Sequence, residues 1–417
     1  MSFASASKRR LSALIINHNS GAWALRCVES LTRAWAEEGR QSADLEVIVV
    51  DSGSEPEEAT WWRSLRRAGA YVKVSPANVG YATGLNMAFE LSRGNDEDVV
   101  ALLNPDLHFL PGSIGPLLER LDSQPDLGAV APRIFLDEEC QLLLPPNELP
   151  TPRRDLFEKL AARYPRLARR RAEQRSQISK RFWSRTEPFE AEMLSGACLF
   201  LRRGTLRGMG EAMDGRFPLY FEDADLCARL NQLGWRLEVQ PASQVLHHWS
   251  RSAGPNFEGE SARRHAFGHA LYMAKHCTSW ACGVLHMLNA FLDRRWQGQA
   301  ARAAHDLVDL GCLTESPEVS FPGAGEYVLE LSLTPFWGLA GGTLVSGQSY
   351  SYPARTWSWL FPATYYLRAV SLDNGAVLGA WQFEKTSPAR SWPLDSMADK
   401  DEQVSRTGEL YRGERVG

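Results

Sequence analysis

The 417-residue sequence predicts an α/β architecture: a mostly parallel sheet with helices on both faces, then a small all-β, sandwich-like unit near the C-terminus. Three observations carry this expectation. In the first third, short apolar runs separated by helical periodicity each end in a polar turn. No uninterrupted apolar run reaches the roughly 18 residues of a membrane span. From about residue 315 the pattern changes to closely spaced β-rich runs, two of them joined across an Asn-Gly.

Leu11 to Asn17 (L-S-A-L-I-I-N) is the first buried-strand candidate, ending in His18, Asn19, Ser20 and Gly21. Trp23, Cys27, Ser30, Leu31 and Ala34 then recur at helical spacing. Leu45 to Val50 is a second strand, stopped by Asp51-Ser52-Gly53-Ser54. Tyr71 to Val74 is a third, and Val99 to Leu103 a fourth, stopped by Asn104-Pro105-Asp106. Ligands of such sheets bind beyond the carboxyl ends of the strands, so His18, Asp51 and Asp106 are expected to share one crevice.

Residues 142–190 differ in character. Prolines 145, 146, 150 and 152 open the segment, and nine Lys or Arg between Arg163 and Arg185 face a single acid, Glu173. The run suits a solvated helix, or else a basic lid facing diphosphates or an anionic membrane. Regular structure resumes from Ala191 to about Leu292. His265 to Leu292 is helical in pattern, with Trp280, Val284, Leu285, Leu288 and Phe291 apolar. It is expected to pack under the preceding domain, with an interfacial helix as the alternative. Tyr327 to Leu333, Trp357 to Leu360, Tyr365 to Leu372 and Val377 to Phe383 are the β runs. The expected divisions are 1–300, 315–392 and a disordered tail, 393–417.

Hydrophobic residues at 44% and charged residues at 23% describe a globular chain and exclude wholesale disorder. With 46 Lys and Arg against 50 Asp and Glu, the formal net charge of −4 gives no electrostatic case for nucleic acid. Seven scattered cysteines, without a C-x-x-C pair, suit buried thiols in a reducing compartment. The N-terminal apolar segment is too short for a secretory leader. A cytoplasmic protein is expected, with room for peripheral contact at the inner face of the plasma membrane and for a homodimer.

Several residues carry chemistry. Asp51 follows a strand, where a carboxylate accepts from a base or ribose, or caps a turn. Asn78 to Asn86 (N-V-G-Y-A-T-G-L-N) suits a turn that brings backbone N–H groups to a ligand. Asp106 at a strand end suits a hard divalent cation sharing substrate phosphates, or a capping role after Pro105. F-E-D-A-D, from Phe221 to Asp225, packs three carboxylates into four positions, and their repulsion raises at least one proton affinity. Such a raised carboxylate is a general base for a sugar hydroxyl, while acids also suit a helix N-terminus. His247 ends a strand and can ligate a metal, and Arg251 can hold phosphate. Trp337, Trp357, Trp359 and Trp381 could stack on sugar rings or form a core.

The succession I-I-N-H-N-S, V-V-D-S-G-S, N-V-G-Y-A-T-G-L-N, L-L-N-P-D, S-G-A-C-L-F-L-R-R, F-E-D-A-D-L-C-A-R-L and V-L-H-H-W-S-R-S resembles the family-2 glycosyltransferases, in the branch of bacterial rhamnosyltransferases. It covers residues 11 to 280, about two thirds of the chain. The resemblance implies a GT-A fold and inverting transfer of a sugar, with L-rhamnose from a dTDP donor as the best fit and UDP as the other nucleotide. A divalent cation, Mg or Mn, and a saccharide or lipid-linked acceptor in bacterial surface polysaccharide synthesis are implied with it.

Carried over by motif, Asn17, Asp51, Asn78, Gly80, Asn86, Asn104 and Arg251 would bind the donor. Asp106 and His247 would hold the metal, and Ser195, Gly196 and Ala197 would border the acceptor. Asp223 would be the catalytic base, with Glu222 and Asp225 shaping its field. The sequence departs from the family in having Ser250 where a Gly is usual and His18 where an aromatic is common. A non-catalytic sugar- or nucleotide-binding scaffold that kept the fold is the alternative reading.

Overall fold

The computed structural model describes residues 9–248 and 259–389. Strand β1 (Leu11–Asn17) is buried along its whole length. Its side chains alternate between two cores, Leu11, Ala13 and Ile15 in one, Leu14 and Ile16 in the other. That is the signature of a central strand covered on both faces. Helix α1 (Gly21–Glu37) buries Cys27, Val28 and Leu31 against the first face. Then follow β2 (Leu45–Ser52), α2 (Ala59–Arg67), β3 (Tyr71–Ser75), α3 (Tyr81–Leu91) and β4 (Val99–Leu103). Strands β3-β2-β1-β4 are parallel neighbours, with α1 and α2 on one face and α3 on the other.

The chain continues through β5 (Leu107–Phe109), α4 (Gly115–Ser123), β6 (Leu127–Phe135), α5 (Pro152–Ala161), α6 (Pro165–Trp183) and β7 (Phe189–Glu190). Next come β8 (Cys198–Arg202), α7 (Arg203–Gly208), α8 (Glu222–Gln232), β9 (Arg236–His247), α9 (Glu260–His276) and α10 (Trp280–Trp296). Among the described residues the sheet has nine strands, extending from β4 through β8, β6 and β9 to β5, with β7 on β9. Strand β8 runs antiparallel to both β4 and β6, and β5 and β7 run antiparallel to β9. The α/β class is as expected for a GT-A fold, but the sheet is parallel only as far as β4, apart from the β6–β9 pair, and is mixed beyond it.

The C-terminal unit comprises β10 (Val308–Leu313), β11 (Val319–Ser332), β12 (Ala340–Tyr350), α11 (Ala354–Trp359), β13 (Ala363–Ser371) and β14 (Val377–Lys385). Asn374-Gly375 does turn β13 into β14, with Gly375 at φ +73°. The unit is one five-stranded sheet, ordered β10-β14-β13-β11-β12. In place of a sandwich's second layer, Trp357, Leu360 and Leu142 cover one face, and Ala168 and Ala172 of α6 help cover the other. The two sheets are stitched together where Leu143 N donates to Gly342 O at 2.7 Å, over Trp183.

Four expectations change here. Trp357 to Leu360 is not a strand but lies in and just after α11, since a four-residue apolar run has no period of its own. Trp337, Trp357 and Trp359 are buried in packing and offer no ring to a sugar. The basic run is not a lid: α6 is wedged against the second sheet, and Arg171 reaches Glu148 at 2.9 Å and Glu158 at 2.6 Å. The segment expected as one helix under the first domain is two, broken at 277–279, and α10 leaves its apolar stripe exposed. All seven cysteines are unpaired; Cys312, unlike the buried Cys27, Cys140, Cys198 and Cys227, is exposed.

Candidate active site

Because β1, β2 and β4 are parallel and in register, Asn17, Asp51 and Asn104 emerge at the same edge of the sheet. Asp51 is fully buried and accepts from Asn17 Nδ2 at 2.7 Å, Ser54 Oγ at 2.8 Å, Trp62 Nε1 at 3.0 Å and Ser54 N at 3.1 Å. These four donors commit the carboxylate to building the turn. Beside it, His18 Nδ1 donates to Ser52 O at 2.9 Å and Nε2 accepts from Asn78 Nδ2 at 3.3 Å. Gly53, at φ +63°, passes so near Asn78 that a Cβ would lie 2.3 Å from its backbone nitrogen. Asn78 Oδ1 in turn accepts from Gly80 N at 2.9 Å, ordering the entry to α3.

The second cluster lies past β4. His247 Nε2 is 3.2 Å from Asp106 Oδ1 and 3.3 Å from Asn104 Nδ2. The β5–β9 ladder sets this geometry by pairing Leu107 with His247. Asn104 N donates to Ala197 O at 2.9 Å, which draws Ser195-Gly196-Ala197 alongside. Gly196 N then donates to Asp223 Oδ2 at 3.1 Å, and Ala224 N to Asp223 Oδ1 at 2.8 Å. Only glycine fits at 196, where a Cβ would lie 2.5 Å from that of Asp223. Asp106, His247, the 195–197 segment and Asp223 are thus one connected constellation.

The turn that presents α8 is strained. Tyr220 and Phe221 both adopt left-handed backbone, at φ +71° and +69°, immediately before Glu222 and Asp223. Burial holds both carboxyls above their usual range, Glu222 to about 8, with the Asp223 charge adding to its shift. Glu222 Oε2 is buried without a hydrogen-bond partner.

Asp225, two residues on, is a fastener. It takes Arg229 at 2.9 Å on one oxygen and Lys275 and His276 at 2.7 Å each on the other. Its expected part in the base's field is therefore corrected to joining α8 and α9. Asn86 likewise binds Met213 O at 2.7 Å and Glu211 at 3.0 Å, clamping the 211–213 loop instead of lining a donor site. Arg251 lies outside the described residues, as do Ser250 and the 393–417 tail.

One residue escaped the sequence reading. Tyr81 opens α3, with its N–H on Pro218 O at 3.0 Å. Its hydroxyl is buried without a hydrogen-bond partner, and burial and then the Glu222, Asp223 and Asp106 charges raise its proton affinity. A phenol among three carboxylates is a donor in place for a ligand. The spacing of its motif carried no signal, because those carboxylates come from the β4–β5 turn and the head of α8, far along the chain.

Residues 12–191 match the sequence model of the family described as Glycosyl transferase family 2. The chain carries a family-2 glycosyltransferase domain. This glycosyltransferase is 28% identical over 262 residues to the N-acetylglucosaminyl-diphospho-decaprenol L-rhamnosyltransferase of Mycobacterium tuberculosis strain CDC 1551 / Oshkosh, covering 60% of this chain and 81% of that protein. The protein of that name from strain H37Rv matches with the same figures. Among solved structures, a mannosyltransferase from Pyrobaculum calidifontis in complex with GDP-Man and Mn2+ is 15% identical. It covers 69% of this chain and 83% of its own, with a TM-score of 0.38. GalNAc-T7 with UDP, GalNAc and Mn2+ is 11% identical, covering 89% and 77%, with a TM-score of 0.43. The family match stops short of Ser195 and of the Glu222–Asp223 turn. Those parts of the candidate site rest on the geometry above.

Among the described residues no group of three His, Cys, Asp or Glu side chains is arranged to hold a metal ion. Asp106 and His247 form a pair, and His247 Nδ1 is buried without a partner. One carboxylate and one imidazole suit a cation that draws its other ligands from a diphosphate and water.

Proposed function

We propose that this glycosyltransferase transfers L-rhamnose from dTDP-L-rhamnose to a lipid-linked saccharide, with inversion at the anomeric carbon. The observation that carries the reading is the single constellation joining Asp106, His247, Gly196 and Asp223. The substrate class is supported by the mycobacterial relatives, whose names specify a lipid diphosphate acceptor and rhamnosyl transfer.

Asp223 acts as the general base. Its oxygens are each fixed by one backbone N–H, which leaves acceptor capacity on both for a sugar hydroxyl. Burial raises its proton affinity and so strengthens it as a base. Glu222 stays protonated near neutral pH, so a single negative charge faces the acceptor. With its proton passing to Asp223, the acceptor oxygen attacks from the face opposite the departing nucleoside diphosphate, which is the single displacement that inverts. Asp106 and His247 would hold a divalent cation, which when bound supplies charge neutralisation to the diphosphate. Tyr81, with its free donor, is placed to bind an oxygen of the sugar or diphosphate.

The test is direct. Purified protein given dTDP-L-rhamnose and a polyprenyl-diphosphate-linked N-acetylglucosamine should release dTDP and extend the acceptor, and a chelator should stop both. Donor turnover that needs another nucleotide or sugar would overturn the donor assignment. Full activity in chelator would overturn the metal.

A further inference from the structure

Helix α10 is amphipathic in the reverse of the packed sense. Asn289 and Leu292 are its buried residues, and Asn289 Nδ2 donates to Pro152 O at 3.0 Å, docking the helix on α5. On the other side Trp280, Val284, Met287, Leu288 and Phe291 are exposed, Trp280 to 84% and Met287 to 66%. At helical pitch these five fall within an arc of about 100°. Arg294 and Arg295 continue the same side at the C-terminal end, both exposed and with no ion-pair partner among the described residues. The helix's single acid, Asp293, is turned away and paired with Lys159 at 2.8 Å.

That distribution says what covers the ridge. Five large apolar side chains on one stripe exceed the scatter of a monomer's surface. A second copy of the same helix would bring no acid to the two arginines. An anionic bilayer matches every part: the apolar ridge enters the acyl boundary, Trp280 suits the headgroup level, and the arginines meet lipid phosphates. No helix of the described residues is long and apolar enough to cross a membrane, so the contact is peripheral.

Helix α9 connects this ridge to the chemistry. It leads into α10 across residues 277–279 and packs on the turn that presents the base. A Cβ on Gly268 would lie 2.6 Å from Tyr220 O, and the Phe221 ring meets His265 at 4.8 Å and His269 at 5.4 Å. We propose that the exposed face of α10 is a membrane-docking surface for anionic lipid, tied through α9 to the Asp223 turn. It deepens the proposed function, and its purpose rests on that reading of a lipid-linked acceptor.

Co-sedimentation of the full chain with vesicles, without donor or acceptor, tests it. Vesicles of phosphatidylglycerol and phosphatidylethanolamine should bind the wild-type protein, and vesicles of phosphatidylcholine alone should bind it far less. Met287→Asp with Phe291→Asp should lower binding at least ten-fold. Arg294→Ala with Arg295→Ala should lower it on the order of ten-fold, an effect that fades at high salt. Both variants should keep wild-type transfer to a short soluble acceptor. Wild-type protein that ignores anionic vesicles, or the aspartate pair binding like wild type, would overturn the surface. So would a wild-type dimer that the aspartate pair splits and that never binds vesicles, since the ridge would then belong to a second copy. Vesicle binding that persists while lipid-linked sugar is not used would count against the acceptor instead.

Discussion

In the proposed mechanism two neighbouring carboxyls at the head of α8 have unequal tasks, and the difference is electrostatic. Glu222 is held up to about 8 by burial and by the Asp223 charge, so on that reading it stays neutral while Asp223 takes the proton. Below its ordinary value of 4.5 the Glu222 carboxyl is protonated in both the folded and unfolded chain. Above that value only the folded chain keeps the proton, so stability is lost as pH rises through the folded value. The melting temperature of wild type should therefore fall against Glu222→Gln between about pH 5 and 8 and level off above, read by thermal melts of the two proteins. A difference that stays flat with pH would show that Glu222 is not a buried, neutral acid. Tyr81 belongs to the same environment. Nothing in its own motif marks it, because what makes its hydroxyl unusual is burial beside carboxylates from β5's entrance and from α8.

Elements decide which of the sequence's acids do chemistry. On a helix, Asp223 and Asp225 stand about 200° apart, so they cannot serve the same face. Asp223 turns to Gly196, and Asp225 turns to α9, where Lys275 and His276 join Arg229 of α8 on a fully buried carboxylate. Asp225→Ala should cost about 3 kcal/mol in chemical denaturation, because it strands partners of a buried ion pair. Donor affinity of the folded fraction should change little; a loss below about 0.5 kcal/mol would remove Asp225 as the α8–α9 fastener. The first four strands and the Asn374-Gly375 hairpin were legible in the sequence, because continuous apolar runs and turn chemistry are local signals, whereas the acidic motif read alone groups Asp225 with Asp223. The direction of α10 was not legible. Period reveals an apolar stripe but says nothing of which side meets the protein, and the buried Asn289 was the only polar hint. Helix α11 was missed for want of length, and α6 hid its packing role because arginines that pair with Glu148 read as a solvated face.

The whole molecule is two sheets built around shared helices. Helix α6 lies on the second sheet, where Arg368 Nη2 donates to Ala172 O at 2.8 Å, while Trp183 packs with Phe135 of the first sheet and Val328 of the second. A Cβ on Gly342 would lie 2.0 Å from the Trp183 ring, so this junction tolerates no added bulk. The two sheets should melt as one cooperative unit, in a single calorimetric transition whose midpoint is also seen by near-ultraviolet dichroism. Two separated transitions would contradict a shared core. The central claim is that this scaffold brings Asp223 to an acceptor hydroxyl while Asp106 and His247, at the other end of the same constellation, manage the donor's diphosphate. Turnover and donor affinity of Asp223→Asn, measured on one folded preparation against wild type, test that claim most directly. Loss of the base should lower turnover by about 10²–10⁴-fold and leave donor affinity within a few-fold. Turnover within a few-fold of wild type would contradict the assignment of Asp223, since asparagine heads a helix as well as aspartate does.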